Sequence, residues 1–486
     1  MEAHVETKAE KRRRLILSGN LMKALTVIIL PLAIYQLFNS SYTLLDQIIC
    51  AQISTTAQNA VASISQIKNT ISAFGGGLAA GGAVLVSRYY GSGDVKSARH
   101  ASSNLFFMAI LLSGILCLFF IPLAEPIMRL CQIAPQSIEI GVGYFRLQLL
   151  ELALVTINSV FIGLEKAKGN SKNILILNMV VLVIKLGLTA SFVLWWNQKD
   201  IIFVEISTII AQSFLTIIAL FILFGSRNIL RLSLKMILPR KIYVLPILKL
   251  SIPIFLGKFV MSLGKVVVNG ICGGYWNNVT DGLIVGTLGV SNNMCGMITS
   301  PTNSFEEGES TIVSQNLGNK NIRRAVKAFI YTIISVSVVS AIGYILMRFV
   351  FIDQLVKLFS SSDTKSDTYI QMVKEIFVWD SLSIPTLGVT AAVLGLLYGF
   401  GQTGLSTILN LSRIGSRIIF LLVIHSINPE LSPTLCAGLS MGISNTIILL
   451  VSIFFLVLFL LRVRKKGYQG MKLSDPEPEV SELKYE

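Results

Sequence analysis

Residues 86–101 read VSRYYGSGDVKSARHA, and residues 313–328 read VSQNLGNKNIRRAVKA. At one constant offset Val86 falls on Val313, Ser87 on Ser314, Gly91 on Gly318, Ala98 on Ala325 and Ala101 on Ala328, and basic Lys96 falls on Arg323. A second pair of stretches agrees. GNSKNILILN (169–178) aligns with GQTGLSTILN (401–410) at a slightly longer offset, which also places Gly163 on Gly395, Leu164 on Leu396 and Lys185 on Arg417. The chain therefore reads as two copies of one half, joined head to tail.

Working outward from these stretches, each follows a long apolar run. Of 486 residues, 53% are hydrophobic and only 14% charged, with a mean hydropathy of +0.70. That is too little charge to cover a water-soluble domain and too much apolar surface for a disordered chain. A helix needs about 20 mostly apolar residues to cross a bilayer. Residues 24–50 and 434–461 are two of many such runs, and they are continuous rather than the alternating segments of ~10 residues that build a membrane barrel. Twelve spans are expected, over roughly 20–50, 57–86, 100–128, 138–165, 172–196, 202–224, 243–272, 282–314, 325–352, 368–399, 404–427 and 433–461. Pro31, Pro253, Pro301 and Pro385 lie inside spans, where neighbours must satisfy the carbonyls they free.

Charge sets the orientation. With the N-terminus inside, the loops on that side carry Lys11 to Arg14, Arg88, Lys96, Arg99, Lys166, Lys168, Lys172, Arg227 to Lys241, Lys320 to Lys327 and Arg462 to Lys466, while the opposite loops carry Arg129, Lys199, Lys357 and Lys365. This asymmetry predicts a multi-pass cell-membrane protein with both termini cytoplasmic, and it explains the net charge of +15 without nucleic acid. The run that follows Lys11 to Arg14 is too long and lacks the small-residue site of a cleavable signal, so it reads as the first span.

The fold class is thus an all-α polytopic membrane protein with 12 transmembrane helices in two parallel-repeat six-helix lobes. The expected parts are a basic N-terminus (1–19), an N-lobe (20–224), an inter-lobe linker (225–242), a C-lobe (243–461) and a polar, disordered cytoplasmic tail (462–486). Because six spans are an even number, both halves enter from the same side. Parallel repeats related by an axis along the membrane normal place a substrate site between them. The expected function is transport by rocking one lobe against the other. Six scattered cysteines form no CxxC pair and three distant histidines no ligand spacing, so no metal, cofactor or redox motif is read. No catalytic constellation is present in any loop, and an enzyme is not expected.

The order and spacing of these motifs resemble a known family. The elements are Pro31 and Asp46 in the first span, the small-residue run GGGLAAGGAVLVSRYYGSGD closing the second, the GNSK turn opening the fifth with its echo at Gly401, and two parallel halves. Together they resemble the multidrug and toxic compound extrusion (MATE) family, within the group that includes lipid-linked oligosaccharide flippases, over about residues 20–460. The resemblance implies a secondary active exporter (antiporter) of small organic or amphiphilic compounds, driven by inward H⁺ or Na⁺, with a V-shaped cavity lined by spans 1, 2, 7 and 8. It departs from the pattern at the places where many members carry coupling groups: Val260 and Met261 follow Pro253, span 10 offers Ser383 and Leu387, and span 5 offers Lys185 and Thr189. Asp46 is the family coupling position that is retained. Two other readings stand beside the exporter. One is a flippase or exporter of a dedicated anionic or lipid-linked substrate. The other is a non-transporting membrane receptor or scaffold, which lacks a sensory domain. A monomer is expected, with lipid bilayer and small-molecule substrate as partners and H⁺ or Na⁺ as the only coupling ion.

Ionisable groups inside spans cost on the order of 3 kcal/mol at the bilayer centre, so each needs a partner, a wet cavity or a function. Asp46, Glu151 and Lys185, extended by Asn158 and Asn178, form the expected N-lobe ion-coupling network. Protonation there would bias the lobe toward one state, against the plainer reading of a fixed ion pair. In the C-lobe, Glu306, Glu307 and Glu309 in span 8 and Arg413 and Arg417 in span 11 are expected to pair within the lobe, with Asp380 joining them; a cation or substrate site is the sharper alternative. Lys68, Lys258 and Lys265 are the expected cavity lysines, suited to an anionic substrate unless they snorkel or pair with Glu306 or Asp46. Trp195, Trp196 and Trp276 are expected in interfacial belts, and Gly257 and Gly264 to permit close helix contact.

Overall fold

The structure is a computed structural model and describes residues 7–53, 55–131, 135–192, 200–276, 278–280, 283–359 and 367–466. The side chain of Asp46, both Trp195 and Trp196, Lys199, Lys365 and the tail after Lys466 lie outside the described residues. Among the described residues sixteen α-helices run in order: α1 (Lys8–Leu17), α2 (Leu21–Ile53), α3 (Thr55–Ser92), α4 (Val95–Phe120), α5 (Ala124–Leu130), α6 (Pro135–Ala167), α7 (Ser171–Ala190), α8 (Ile201–Phe224), α9 (Lys241–Trp276), α10 (Ile284–Gly318), α11 (Ile322–Ile345), α12 (Ile352–Phe359), α13 (Asp367–Asp380), α14 (Ser383–Gly399), α15 (Gly404–Ile427) and α16 (Pro433–Lys466). Among the described residues there is no strand.

Among the described residues eleven segments are long and apolar enough to cross a membrane, with α13 and α14 together forming one of them. The twelfth span is α10. Its 35 residues suffice in length, but Asn292, Asn293, Asn303 and the SFEEGES run make it polar. Between α2, α3, α11 and α14 it is shielded from lipid, so the protein carries the polarity that the bilayer would otherwise penalise.

The repeat is visible in local chemistry. Asp94 accepts from the backbone N–H of Ser97 at the start of α4, and Asn321 accepts from that of Arg324 at the start of α11. These are N-caps at equivalent positions of the two halves. The residue before each cap is left-handed: Gly93 (φ 89°) in one half, and Lys320 (φ 57°), the single such non-glycine among the described residues, in the other. Gly169 (φ 72°) and Gly401 (φ 79°) make the matching turns into α7 and α15, a conformation that costs glycine little. Packing follows the same symmetry. In one half α3 lies along α6 and α2 along α7; in the other α10 lies along α14 and α9 along α15.

The cores show where the lobes join. At the end of the molecule bearing the basic loops, each core is shared. The first part of α9 (Tyr243, Ile247, Leu250, Ile254) packs with N-lobe residues of α3, α4 and α8. Reciprocally, the first part of α2 (Leu21, Leu25, Ile28, Leu32) packs with C-lobe residues of α10, α11 and α14. Toward the opposite end the cores separate. Val61, Ile64, Phe145 and Val204 form one wholly within the N-lobe, and Cys272, Trp276, Leu421 and Met441, with a second cluster around Met294 and Phe377, lie wholly within the C-lobe. Pro31 and Pro253 stand near where α2 and α9 leave the partner lobe's core for their own. Trp276 is buried in the C-lobe cluster, against the expectation of an interfacial belt: its ring meets Tyr275 and His425 instead of a headgroup layer. The glycines of α9 do permit close contact, since added Cβ atoms at Gly257 and Gly264 would lie 3.1 Å and 2.3 Å from Asn410 or Ser406 and from Ile414 on α15.

Candidate functional site

The seam between the lobes is built by the repeated motif itself. Arg88 on α3 donates through Nη2 to the carbonyl of Gly399 (2.9 Å). Gln315 on α10, its equivalent by the repeat, donates through Nε2 to the carbonyl of Ala167 (2.7 Å). Each half thus reaches the carbonyl that ends a helix of the other half. The helices can come this close because Gly91 and Gly318 stand at the crossing. A Cβ at Gly91 would lie 2.2 Å from the Gln315 carbonyl oxygen, and one at Gly318 would lie 2.1 Å from that of Arg88. Helix α1 lies over the same seam. Arg12 donates to Asn170 and Arg13 to the Gly91 carbonyl on the N-lobe side. On the C-lobe side Arg324 caps the carbonyls of Leu15, Ile16 and Gly19 at 3.2, 2.9 and 2.7 Å.

Just behind the seam lies a cavity of about 30 Å³, space for ordered water and not for an organic molecule, lined by Ser87, Lys166, Lys258, Glu306, Glu307 and Tyr398 among others. Lys166 on α6 pairs with Glu307 on α10 across the lobes (2.9 Å). Lys258 bears electrostatically on Glu306 and Glu307. Glu309 is fully buried, with neither carboxyl oxygen hydrogen-bonded, beside Glu306 and against Gly395. The expected pairing of these glutamates with Arg413 and Arg417 inside the C-lobe is therefore corrected. Glu307 turns to the other lobe, because Lys166 at the end of α6 comes within reach when the seam closes.

Arg413 and Arg417 lie elsewhere, toward the open end. Arg413 donates through Nε to Asn445 (3.0 Å), and Arg417 donates to Ser444 (3.0 Å) and Asn445 (3.2 Å), all on α16. The charged neighbours of both are Asp380 and, on α9, Lys265. Asp380 itself accepts from the hydroxyl of Ser291 (3.0 Å).

The N-lobe holds a network of acids and lysines. Lys68 on α3 forms an ion pair with Glu151 on α6. Glu205 on α8, 2% exposed, lies beside Glu151 and bears on both Lys68 and Lys185 of α7. Lys68, expected among the cavity lysines, is thus a member of the N-lobe network. Asn158 and Asn178, expected to extend it, do not: Asn158 bonds Gln212 and Thr216, and Asn178 bonds the Ile174 carbonyl of its own helix. Glu205 escaped sequence reasoning. The available signal was a lone acid inside an otherwise apolar span, VEISTII, close enough to Asp200 to pass for a helix-start residue.

Two six-helix lobes that share their cores at one end, keep separate cores at the other and carry buried charge networks in each lobe define a two-lobed helical membrane transporter. The MatE family profile matches residues 31–190 and 253–423, one stretch in each lobe and more than half of the chain. The chain belongs to the MatE family, whose members are multi-pass transporters and not enzymes. No curated protein matches the sequence. Solved structures resemble the fold. One described as the outward-facing conformation of a multidrug resistance MATE family transporter of the MOP superfamily has a TM-score of 0.85 at 16% identity, covering 94% of this chain and 99% of that one. One of MATE in complex with MaL6 has the same TM-score and identity, covering 94% and 100%. A Pyrococcus furiosus MOP superfamily transporter, for which reversed polarity of the binding pocket is said to suggest a different function, has a TM-score of 0.84 at 17% identity, covering 94% and 99%.

Proposed function

We propose that the protein is a secondary active exporter, an antiporter that expels small organic or amphiphilic compounds by rocker-switch alternating access, using inward H⁺ or Na⁺. The observation that carries the reading is the seam. It is closed at the basic end by glycine crossings, paired side chain–carbonyl bonds and the inter-lobe ion pair of Lys166 with Glu307, while the cores beyond it belong to separate lobes. Such contacts are individually worth about 0.5–1.5 kcal/mol, so a modest change in either lobe can release them. By the basic asymmetry of the loops the sealed end is cytoplasmic, which makes this the outward-facing state. One chain supplies both lobes, so a monomer is a complete unit.

Coupling is assigned to the N-lobe. Glu151, Glu205, Lys68 and Lys185 join α3, α6, α7 and α8, so a change of charge there repacks four helices of one lobe. Asp46 on α2 belongs to the same lobe and is the retained family position. The test is flux of cationic and anionic fluorescent compounds from proteoliposomes under imposed H⁺ or Na⁺ gradients. Gradient-driven flux is expected in the wild type and its loss in Glu205→Gln and Asp46→Asn at matched reconstitution. Undiminished flux in both variants would move the coupling site out of the N-lobe, and wild-type flux indifferent to either gradient would end the antiporter reading.

A further inference from the structure

The intramembrane charge clusters differ in balance. In the N-lobe Lys68 and Lys185 answer Glu151 and Glu205. At the seam cavity Lys166 and Lys258 face Glu306 and Glu307. In the outer C-lobe, Lys265, Arg413 and Arg417 gather around one carboxylate, Asp380. Among the described residues no carboxylate lies within ion-pair distance of any of these three cations. The two guanidinium groups are held instead by neutral acceptors, Ser444 and Asn445. A guanidinium does not shed its proton in proteins, so the positive excess persists in a region where each unpaired charge is costly. It calls for an anion from outside the chain.

Lys265 brings the cluster to an exposed face of α9. On α9, Leu256, Leu263 and Val267 are exposed on the lipid side. Lys258 and Lys265 are also exposed, seven residues apart and on the opposite face, which at 3.6 residues per turn is the face away from lipid. Met261 lies between the two lysines, and the Arg413 Nη1 approaches its sulfur at 3.9 Å, so the arginine side chain comes up behind the same face. Phe255 and Phe259 stand on the same stretch of α9 and meet Phe74 of α3 across the lobes, the first pair stacked at 4.0 Å and the second edge-on at 6.4 Å. The site therefore offers a fixed positive wall beside a half-buried aromatic surface.

We propose that Lys265, Arg413 and Arg417 form a substrate site for organic anions, compounds bearing a sulfate, sulfonate, carboxylate or phosphate on an apolar body. Lys265 makes first contact in the cleft, the arginines supply the field behind it, and the three phenylalanines receive the apolar part. This deepens the exporter reading and takes the direction of transport from it, but binding is independent of that reading.

The test is equilibrium dialysis of purified protein against estrone sulfate, an aromatic anion, and tetraphenylphosphonium, an aromatic cation. Saturable binding of the sulfate is expected, with an affinity at least tenfold weaker in Lys265→Gln and in Lys265→Gln/Arg413→Gln, and near wild type in Lys265→Arg. Lys265 is exposed, so its single variant keeps the experiment decisive if the arginine variant fails to fold. Tighter binding of the phosphonium, or sulfate binding that is absent or unmoved in a monodisperse Lys265→Gln, overturns the proposal. Gradient-driven phosphonium flux without sulfate binding would leave the exporter and remove the anion site. Lys265-dependent sulfate binding without gradient-driven flux of any compound would do the reverse.

Discussion

Lys68 and Glu151 meet in a part of the N-lobe where Glu205 stands alongside. Removing the lysine alone leaves two carboxyl groups facing each other in a nearly dry site, and breaking a buried pair in this way costs about 3–5 kcal/mol. Lys68→Met is expected to lower the thermal midpoint of the solubilised protein sharply, and Lys68→Met/Glu151→Leu to recover most of the loss. A double variant no more stable than the single would show that the pair is not the unit that holds α3 to α6. Residue by residue, the sequence made the need for partners legible but not their identity. Hydropathy marks Glu306, Glu309, Arg413 and Arg417 as charges that need company, and helix spacing puts each pair on one face. Which faces meet is decided by the crossing of α10 with α3 and of α15 with α16. Glu307 therefore pairs with Lys166 in the other lobe, and the arginines find Asn445 instead. Long-range partners of this kind leave no local trace.

Elements were the most legible scale, because the chain states each of them twice. The caps Asp94 and Asn321 and the turns at Gly169 and Gly401 repeat in sequence and in backbone. At the left-handed position Lys320 replaces Gly93, so the repeat survives in conformation where it is lost in residue type. Even the close packing of Gly163, where an added Cβ would lie 3.1 Å from the Ala79 carbonyl oxygen, returns at Gly395, where one would lie 3.0 Å from that of Glu306. What the repeat does not disclose is that one of its matches, Ser87 to Gly91 with Ser314 to Gly318, marks where α3 and α10 cross. That crossing is testable. No side chain fits at Gly91 with the Gln315 carbonyl 2.2 Å from its Cβ position, so Gly91→Val must part the two helices at the basic end. Ser87, fully buried behind the crossing, serves as reporter. In a background freed of native cysteines, Ser87→Cys is expected to react with an impermeant maleimide applied from the basic side at least tenfold faster when Gly91→Val is present. Equal rates would mean that the glycine crossing is not the seal.

Across the whole molecule, the two shared cores at the basic end and the separate cores beyond them make one closed end and one open end from a single near-symmetric chain. The exchange of the first parts of α2 and α9 between lobes gives the closed end its strength. Within the bilayer that strength comes from van der Waals packing of the exchanged helices, to which the few polar bonds of the seam add. A lever pivoting near the seam cavity must move its two ends in opposite senses. Leu130 at the end of α5 and Val279 after α9, 84% and 73% exposed, lie at the end with separate cores on different lobes, and Lys96 and Arg323 are exposed repeat equivalents at the basic end. Spin-label pairs at Leu130→Cys/Val279→Cys and at Lys96→Cys/Arg323→Cys, in a cysteine-free background, give two distances by pulsed electron resonance. Under the gradient that drives flux, the first distance is expected to shorten and the second to lengthen, each by several ångströms, because the lobes are rigid relative to the seam. Two distances that change with the same sign would point to breathing of the bundle, and a change confined to one end to a local gate. Only opposed changes fit two rigid lobes rocking about the seam at Gly91 and Gly318.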